Sequence, residues 1–175
     1  SDFLKEVKNS KVTPIQPQFL DFKKDLTIGK TSKNIPLIYK QNTQDGLFNL
    51  VFRYEFGDED DLRYGYAADY LNYIGTKKMD VSDINKAFYD LACNYSVSTT
   101  NNTLQISLNG LNENLPKALN LMENLLKNAK ADKESWAQYI EQVEKGREDA
   151  KTDQKTNYSY LWNYCKYGKY NPSRN

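Results

Sequence analysis

The sequence predicts an α+β domain, a mostly antiparallel sheet with helices packed on one face. Three observations predict it. Residues 47–56 alternate: Phe48, Leu50, Phe52, Tyr54 and Phe56 fall on one side, and Asn49, Arg53 and Glu55 on the other with Leu47 and Val51. That period of two belongs to a strand with one dry face. Val81, Ile84, Phe88 and Leu91, and later Leu111, Leu115, Ala118, Leu119, Met122 and Leu125, recur at three or four residues, the apolar stripe of a helix. Between these stripes, residues 95–99 and 103–109 read as the two strands of a hairpin. Strands, then helices, then a hairpin, then helices is an α+β order.

Taken in order, residues 1–11 are charged and weakly patterned, although Phe3, Leu4 and Val7 fit one or two helical turns. They read as a linker from a preceding domain, leaving 12–175 as a single α+β domain, the expectation for a chain of 175 residues. Pro14 and Pro17 keep residues 12–18 extended. Residues 20–27 read as a first strand and 34–40 as a second, with Pro36 near its start, where a missing N–H is tolerated. Residues 42–46 turn the chain into the main strand, which Gly57 breaks. Asp58, Glu59, Asp60 and Asp61 then place four carboxylates at a helix start, the end its dipole favours for negative charge. Leu62, Ala67, Tyr70, Leu71 and Ile74 carry that helix on, and Gly75 stops it.

Asp80 caps the next helix, with Asp83 as its capping-box partner. Asn101-Asn102 occupies the hairpin turn, where asparagine tolerates positive φ. Leu104, Ile106 and Leu108 alternate with Gln105 and Ser107, so one face of that strand is covered, and Gly110 ends it. Pro116 is acceptable in the first turn of the following helix. Residues 132–149 form a further helix with Trp136, Ile140 and Val143 on one face. Residues 156–167 form a last one, with Tyr160, Leu161 and Tyr164 inward, ended by Gly168 and Asn171-Pro172.

Net charge is +1, and charges, 27% of residues, are evenly spread. No general attraction to nucleic acid or to an anionic membrane follows, and no apolar run approaches the roughly 20 residues of a membrane span. Cys93 and Cys165 are too far apart in sequence for a C-x-x-C pair. They read as two unpaired thiols, with a disulfide open to them if they meet in space. There is no histidine, so no serine has an imidazole base, and no G-x-S-x-G, Walker A or dinucleotide glycine pattern occurs. The run Asp58 to Asp61 offers oxygens to calcium but lacks the spaced ligands and glycine of an EF-hand; a solvated helix start is the plainer reading. Glu141, Glu144 and Glu148 share a helix face with interleaved Lys145, Arg147 and Lys151, a salt-bridged surface and not a poised carboxylate pair. Asn94, Asn101 and Asn157 begin sequons that matter only on a eukaryotic secretory route. The 14 tyrosines, dense toward the C-terminus, fit half-buried rings or an aromatic patch for a partner or an extended peptide. No residue is assigned a catalytic, metal-binding or cofactor-binding role.

The stretch 47–76 ends an apolar strand in Phe56-Gly57-Asp58, adds an acidic run and a helix, and stops at Gly75-Thr76. Gly110-Leu111-Asn112-Glu113-Asn114-Leu115 and Ala118-Leu119 follow in order. Over residues 12–167 this resembles the insulinase or pitrilysin family of zinc peptidases. In that family's catalytic domains the helix carries His-x-x-Glu-His, an inverted zinc motif. Counting back from Gly75-Thr76, the matching positions here are Tyr66, Asp69 and Tyr70. Counting forward from Gly65 gives other positions, and none is histidine. Such a zinc needs two imidazoles, a carboxylate and a position open to water. A remnant polar cluster of Asp69 with Tyr66 and Tyr70 is one reading of those positions; a helix face turned to solvent or to the sheet is the other.

The resemblance therefore implies a non-catalytic repeat that is no enzyme alone. It implies a catalytic peptidase domain or subunit as partner, a peptide substrate enclosed jointly, and zinc in that domain of the parent or partner, with no cofactor in this chain. The parent would be a zinc-dependent metalloendopeptidase. The family's repeat continues with another helix and further strands, so the resemblance implies a repeat truncated on its C-terminal side. The alternative is a scaffold or assembly subunit that keeps the fold without peptidase activity. Usage rich in Asn, Lys and Tyr suggests a bacterial source, hence a periplasmic or secreted protein, with the cytoplasm as the alternative.

Overall fold

The computed structural model describes residues 2–10, 16–17 and 19–170. The chain divides into two compact units, Ser1–Gln44 and Asp45–Asn175. In the first, α1 (Asp2–Asn9) forms where the sequence offers Phe3, Leu4 and Val7, and it buries no residue. Most of the extended run expected at 12–18 lies outside the described residues. The first strand, expected at 20–27, is displaced. The Asp25 carboxylate accepts from the Asp21 N–H at 2.7 Å, and the Asp25 N–H reaches the Asp21 carbonyl at 2.8 Å. Aspartate side chains that bond nearby backbone favour such a turn over a ladder. β1 (Thr27–Lys30) follows and pairs antiparallel with β2 (Pro36–Tyr39), from Thr27 opposite Tyr39 to Lys30 opposite Pro36. Pro36 opens β2, as its missing donor requires.

The second unit is built on a three-stranded antiparallel sheet. β3 (Leu47–Tyr54) and β5 (Cys93–Thr99) flank β6 (Leu104–Leu111), in the order β3-β6-β5. α3 (Val81–Asp90) and α4 (Leu115–Asn128) pack against it. Ile84 and Phe88 of α3, Cys93 of β5, Leu108 of β6 and Ala118, Met122 and Leu125 of α4 form one core cluster, with Phe48, Leu50, Ile106 and Tyr95 against it. Both helical stripes thus point where their spacing requires. The α3 start is the expected capping box: the Asp80 carboxylate accepts from the Asp83 N–H at 2.8 Å, and the Asp83 carboxylate from the Asp80 N–H at 3.4 Å. Two short strands, β4 (Gly75–Thr76) and β7 (Ala129–Lys130), pair with each other.

Several expectations change. β3 is dry only over its first half: Phe48 and Leu50 are half-buried, whereas Phe52 and Tyr54 are exposed. Gly57 does more than end a strand. A Cβ there would fall 2.2 Å from the Thr100 carbonyl oxygen and 2.7 Å from the Thr103 nitrogen. Gly75 lies in β4 and does not cap a helix; a Cβ would meet the Met79 carbonyl at 2.3 Å. Gly110 is paired within β6 at φ +151°, and a Cβ would meet the Ala92 oxygen and Cys93 sulfur at 2.5 Å. Leu111 therefore closes the strand and is exposed, outside the α4 stripe. Among the described non-glycine residues, positive φ occurs at Asn34 and Ala92, not at Asn101-Asn102. That turn is closed by Thr100 and Thr103, whose hydroxyls lie 2.8 Å apart.

α5 (Lys133–Thr152) and α6 (Gln154–Tyr167) meet at Asp153. In α5 the buried residue is Tyr139, while Trp136 is exposed. α6 buries nothing; Tyr160, Leu161 and Tyr164, expected inward, are exposed, as are Tyr158 and Trp162. Gly168 does cap it, at φ +56°. Cys93 is buried, Cys165 is exposed, and both are free thiols.

Leu108 on the central strand is fully buried, and a Leu→Ala change at such a site costs about 3 kcal/mol. Leu108→Ala should lower the unfolding free energy measured in urea by that amount, and Gly57→Ala should destabilise as well; a neutral result for both would contradict this packing. Asp132 caps α5 through the Ser135 N–H, and Asp153 caps α6 through the Thr156 N–H. The N–H and hydroxyl donors of Ser135 and Thr156 hold both carboxyls below their ordinary value of 3.8. A carboxyl depressed in the folded state stabilises above its unfolded value and loses that contribution as pH falls through its folded one. Helicity measured by circular dichroism should therefore fall below about pH 4, and less so in Asp132→Asn/Asp153→Asn.

Candidate functional site

The helix that the resemblance singles out is α2 (Arg63–Tyr70), which starts one residue after Leu62 and ends four before Ile74, with a single 3₁₀ turn at Leu71–Tyr73 continuing it. Its start is set by the acidic loop. The Asp58 and Glu59 N–H groups donate to the Thr100 and Asn101 carbonyls at 2.9 and 2.8 Å. The carboxylates take local partners, although among the described residues Asp58 Oδ1 is buried with none. Asp58 Oδ2 accepts from the Thr99 hydroxyl at 3.1 Å, Glu59 from the Asn101 amide at 3.0 Å and Asp60 from the Gly57 N–H at 2.9 Å. Asp61 accepts from the Arg63 N–H at 2.9 Å and its guanidinium at 2.8 Å, which together hold the Asp61 carboxyl down at about 2. A run bonded mostly to nearby backbone and neighbouring side chains fits the expected approach to a helix. The buried residue on α2 is Ala68, with Tyr70; Ala67 is exposed.

α2 faces α5. Tyr70 is buried, and its hydroxyl donates to the Asp132 carbonyl at 3.1 Å, tying α2 to the first turn of α5. Trp136 meets the Tyr70 ring edge-on at 5.1 Å and 88°. Tyr139 stacks within 5.7 Å of Tyr70, Tyr73 and Trp136. Such aromatic pairs each contribute about 0.5–1.5 kcal/mol beyond buried area. Sequence periodicity missed Tyr139 because Trp136, Ile140 and Val143 offered an equally spaced apolar face; the aromatic contacts across α2 decide which way α5 turns. Among the described residues the Tyr139 hydroxyl is buried without a hydrogen-bond partner. Burial pushes its pKa up, and the negative charge of Asp69 adds to the shift while Arg147 opposes it.

Above this cluster a groove of about 490 Å³ runs between the helices, walled by Tyr66, Tyr70, Trp136, Ile140 and Val143. Arg63, Glu144 and Arg147 stand at it as well. A smaller recess of about 290 Å³ continues past Tyr70 and Trp136 to Lys133. Arg147 donates to the Tyr66 hydroxyl at 3.0 Å. The glutamate row of α5 is therefore only partly the expected salt-bridged face. Glu148 pairs with Lys151 at 2.6 Å, while Arg147 turns to a phenol.

No family model matches the chain, and no curated protein does. Solved structures do. A crystal structure titled peptidase M16 inactive domain, from Pseudomonas fluorescens, superposes with a TM-score of 0.71 at 18% identity, over 86% of this chain and 41% of that one. In fold, this chain is similar to a peptidase M16 inactive domain. The periplasmic protease PqqL from Escherichia coli matches with a TM-score of 0.66 at 12% identity, over 94% of this chain and 21% of that one. A protease from Helicobacter pylori matches at 0.57 and 13%, over 70% and 30%. The chain thus spans less than half the length of each. The α+β, antiparallel M16-like fold agrees with the sequence expectation and supports the insulinase-type resemblance at the level of fold.

On that fold the three positions marked by the resemblance separate. Tyr70 turns into the aromatic cluster, Tyr66 is held by a cation, and Asp69 is exposed. Two neutral phenols, one carboxylate and a nearby guanidinium do not fit a dication that asks for two imidazoles. Among the described residues no group of three or more Cys, Asp and Glu is arranged to hold a metal, and no helix is long and apolar enough to cross a membrane.

Removing an unpartnered buried hydroxyl removes its desolvation cost, about 1 kcal/mol or more. Tyr139→Phe should therefore raise the stability of the chain by about 1 kcal/mol in urea unfolding; a loss of that size would mean that the hydroxyl is paired.

Proposed function

We propose that this chain is a non-catalytic repeat of an M16-type zinc peptidase. It packs against a catalytic domain or subunit that carries the zinc, and the two enclose a peptide substrate. The observation that supports this reading most is the pairing of an M16-like fold with α2 positions that hold tyrosine, aspartate and tyrosine in a chain without histidine. The zinc, the activated water and the general base then belong to the other domain, and the parent protein is the metalloendopeptidase. Its place is the periplasm or outside a bacterial cell, a reading supported by the periplasmic protease PqqL among its structural neighbours.

A second reading has its own observation. α6 exposes Tyr158, Leu161, Trp162 and Tyr164 together, a surface that suits a protein contact whether or not the parent is a peptidase. A scaffold subunit that keeps this fold would use the same face.

The intact polypeptide, or a subunit that co-purifies with it, is expected to carry a His-x-x-Glu-His segment, to bind zinc and to hydrolyse peptides until a chelator is added. This chain alone is expected to cleave none. A complete sequence with no such motif in the polypeptide or its partners would overturn the peptidase reading and leave the scaffold.

A further inference from the structure

The groove between α2 and α5 has the size of a ligand pocket, about 490 Å³, and the mixture such pockets show, mostly apolar walls with a few polar groups. Two of its three charged groups, Glu144 and Arg147, stand outside any ion pair among the described residues. Among the described residues, Arg63 is already committed to Asp61. Arg147 has a phenol for a partner and no carboxylate. Glu144, one turn away on the same helix and at the same groove, has no partner among the described residues. A guanidinium is suited to a carboxylate, and a carboxylate side chain beside it to an amide N–H. Tyr66, Tyr70 and Trp136 give the groove an aromatic wall, and Tyr70 and Trp136 also line the recess. An apolar side chain on a residue with a free carboxylate and a preceding amide satisfies all three elements at once.

We propose that this groove binds the C-terminal residue of a peptide. A large apolar side chain lies against Tyr66, Tyr70 and Trp136, its terminal carboxylate meets Arg147, and Glu144 accepts from its backbone N–H. The Arg147–Tyr66 hydrogen bond holds the guanidinium at the groove before the ligand arrives. The inference rests on the peptidase reading for its meaning, since peptide hydrolysis creates new carboxylate ends, but the binding itself is a property of this chain.

The test uses N-acetyl-Leu-Phe as the free acid and as the C-terminal amide. Trp136 lies in the groove and Trp162 lies exposed on α6, so Trp162→Phe leaves one tryptophan to report. The acid should change Trp136 emission and bind at least tenfold more tightly than the amide, the worth of a charge-assisted hydrogen bond. Arg147→Gln should abolish that preference, and Lys151→Gln should leave it intact. Should Arg147→Gln fold poorly, the acid-to-amide ratio on the parent chain and backbone NMR shifts confined to α2 and α5 carry the test. Equal binding of acid and amide, a preference that survives Arg147→Gln, or no response at millimolar acid would each overturn the proposal. Such a failure beside a zinc-bearing partner would sink the groove alone; binding without any zinc-bearing partner would sink the peptidase reading alone.

Discussion

The second unit depends on a seam between the acidic loop and the hairpin turn. Residues 57–59 lie against residues 99–103 so closely that Gly57 has no room for a Cβ, and two backbone hydrogen bonds of 2.9 and 2.8 Å hold them together. The seam joins the end of β3 to the β5–β6 turn and so fixes where α2 leaves the sheet. Gly65 continues it, its missing Cβ lying 2.9 Å from Asp58 Oδ1. With α2 placed in this way, Tyr70 reaches the Asp132 carbonyl, and α5 is set opposite α2. The groove is a consequence of that chain of contacts.

What could be read from the sequence was what its near neighbours determine. The α3 cap is written in two residues three apart, Asp80 and Asp83. The α4 stripe is written in spacings that a helix turns to one side. The glycines were legible only as breaks. Gly57 and Gly110 are needed because Thr100 and Ala92 approach their backbones from segments that a local pattern does not relate, and Gly75 because the chain turns back on it at Met79. α6 was the largest departure. Its apolar and aromatic residues go nearly all round the helix, a pattern that usually signals burial, yet within this chain it buries nothing. Tyr160, Leu161 and Tyr164, which the spacing places inward, are exposed.

The M16-like fold and the missing imidazoles bear on different links of the argument. The fold is similar to that of a peptidase M16 inactive domain, and its helix α2 carries the positions that the sequence resemblance matches to a zinc motif. The side chains on α2 and α5 then decide the chemistry: Tyr66 bonded to Arg147, Tyr70 bonded to a carbonyl, and an aromatic cluster beneath. Such a site suits the proposed recognition of a chain end, and its α2 positions hold no imidazole. On the proposed reading a second domain carries the zinc, and α6, with Tyr158, Trp162 and Tyr164 exposed, is the face offered to it.

Cys165 makes that face directly addressable, because it is exposed on α6 while Cys93 is buried. The most direct measurement is to attach a photo-activated crosslinker to Cys165 in the intact native protein and to map the adducts by mass spectrometry. The account predicts adducts on a segment of the domain or subunit that carries the His-x-x-Glu-His motif. Adducts confined to this chain, or to a partner without that motif, would contradict it.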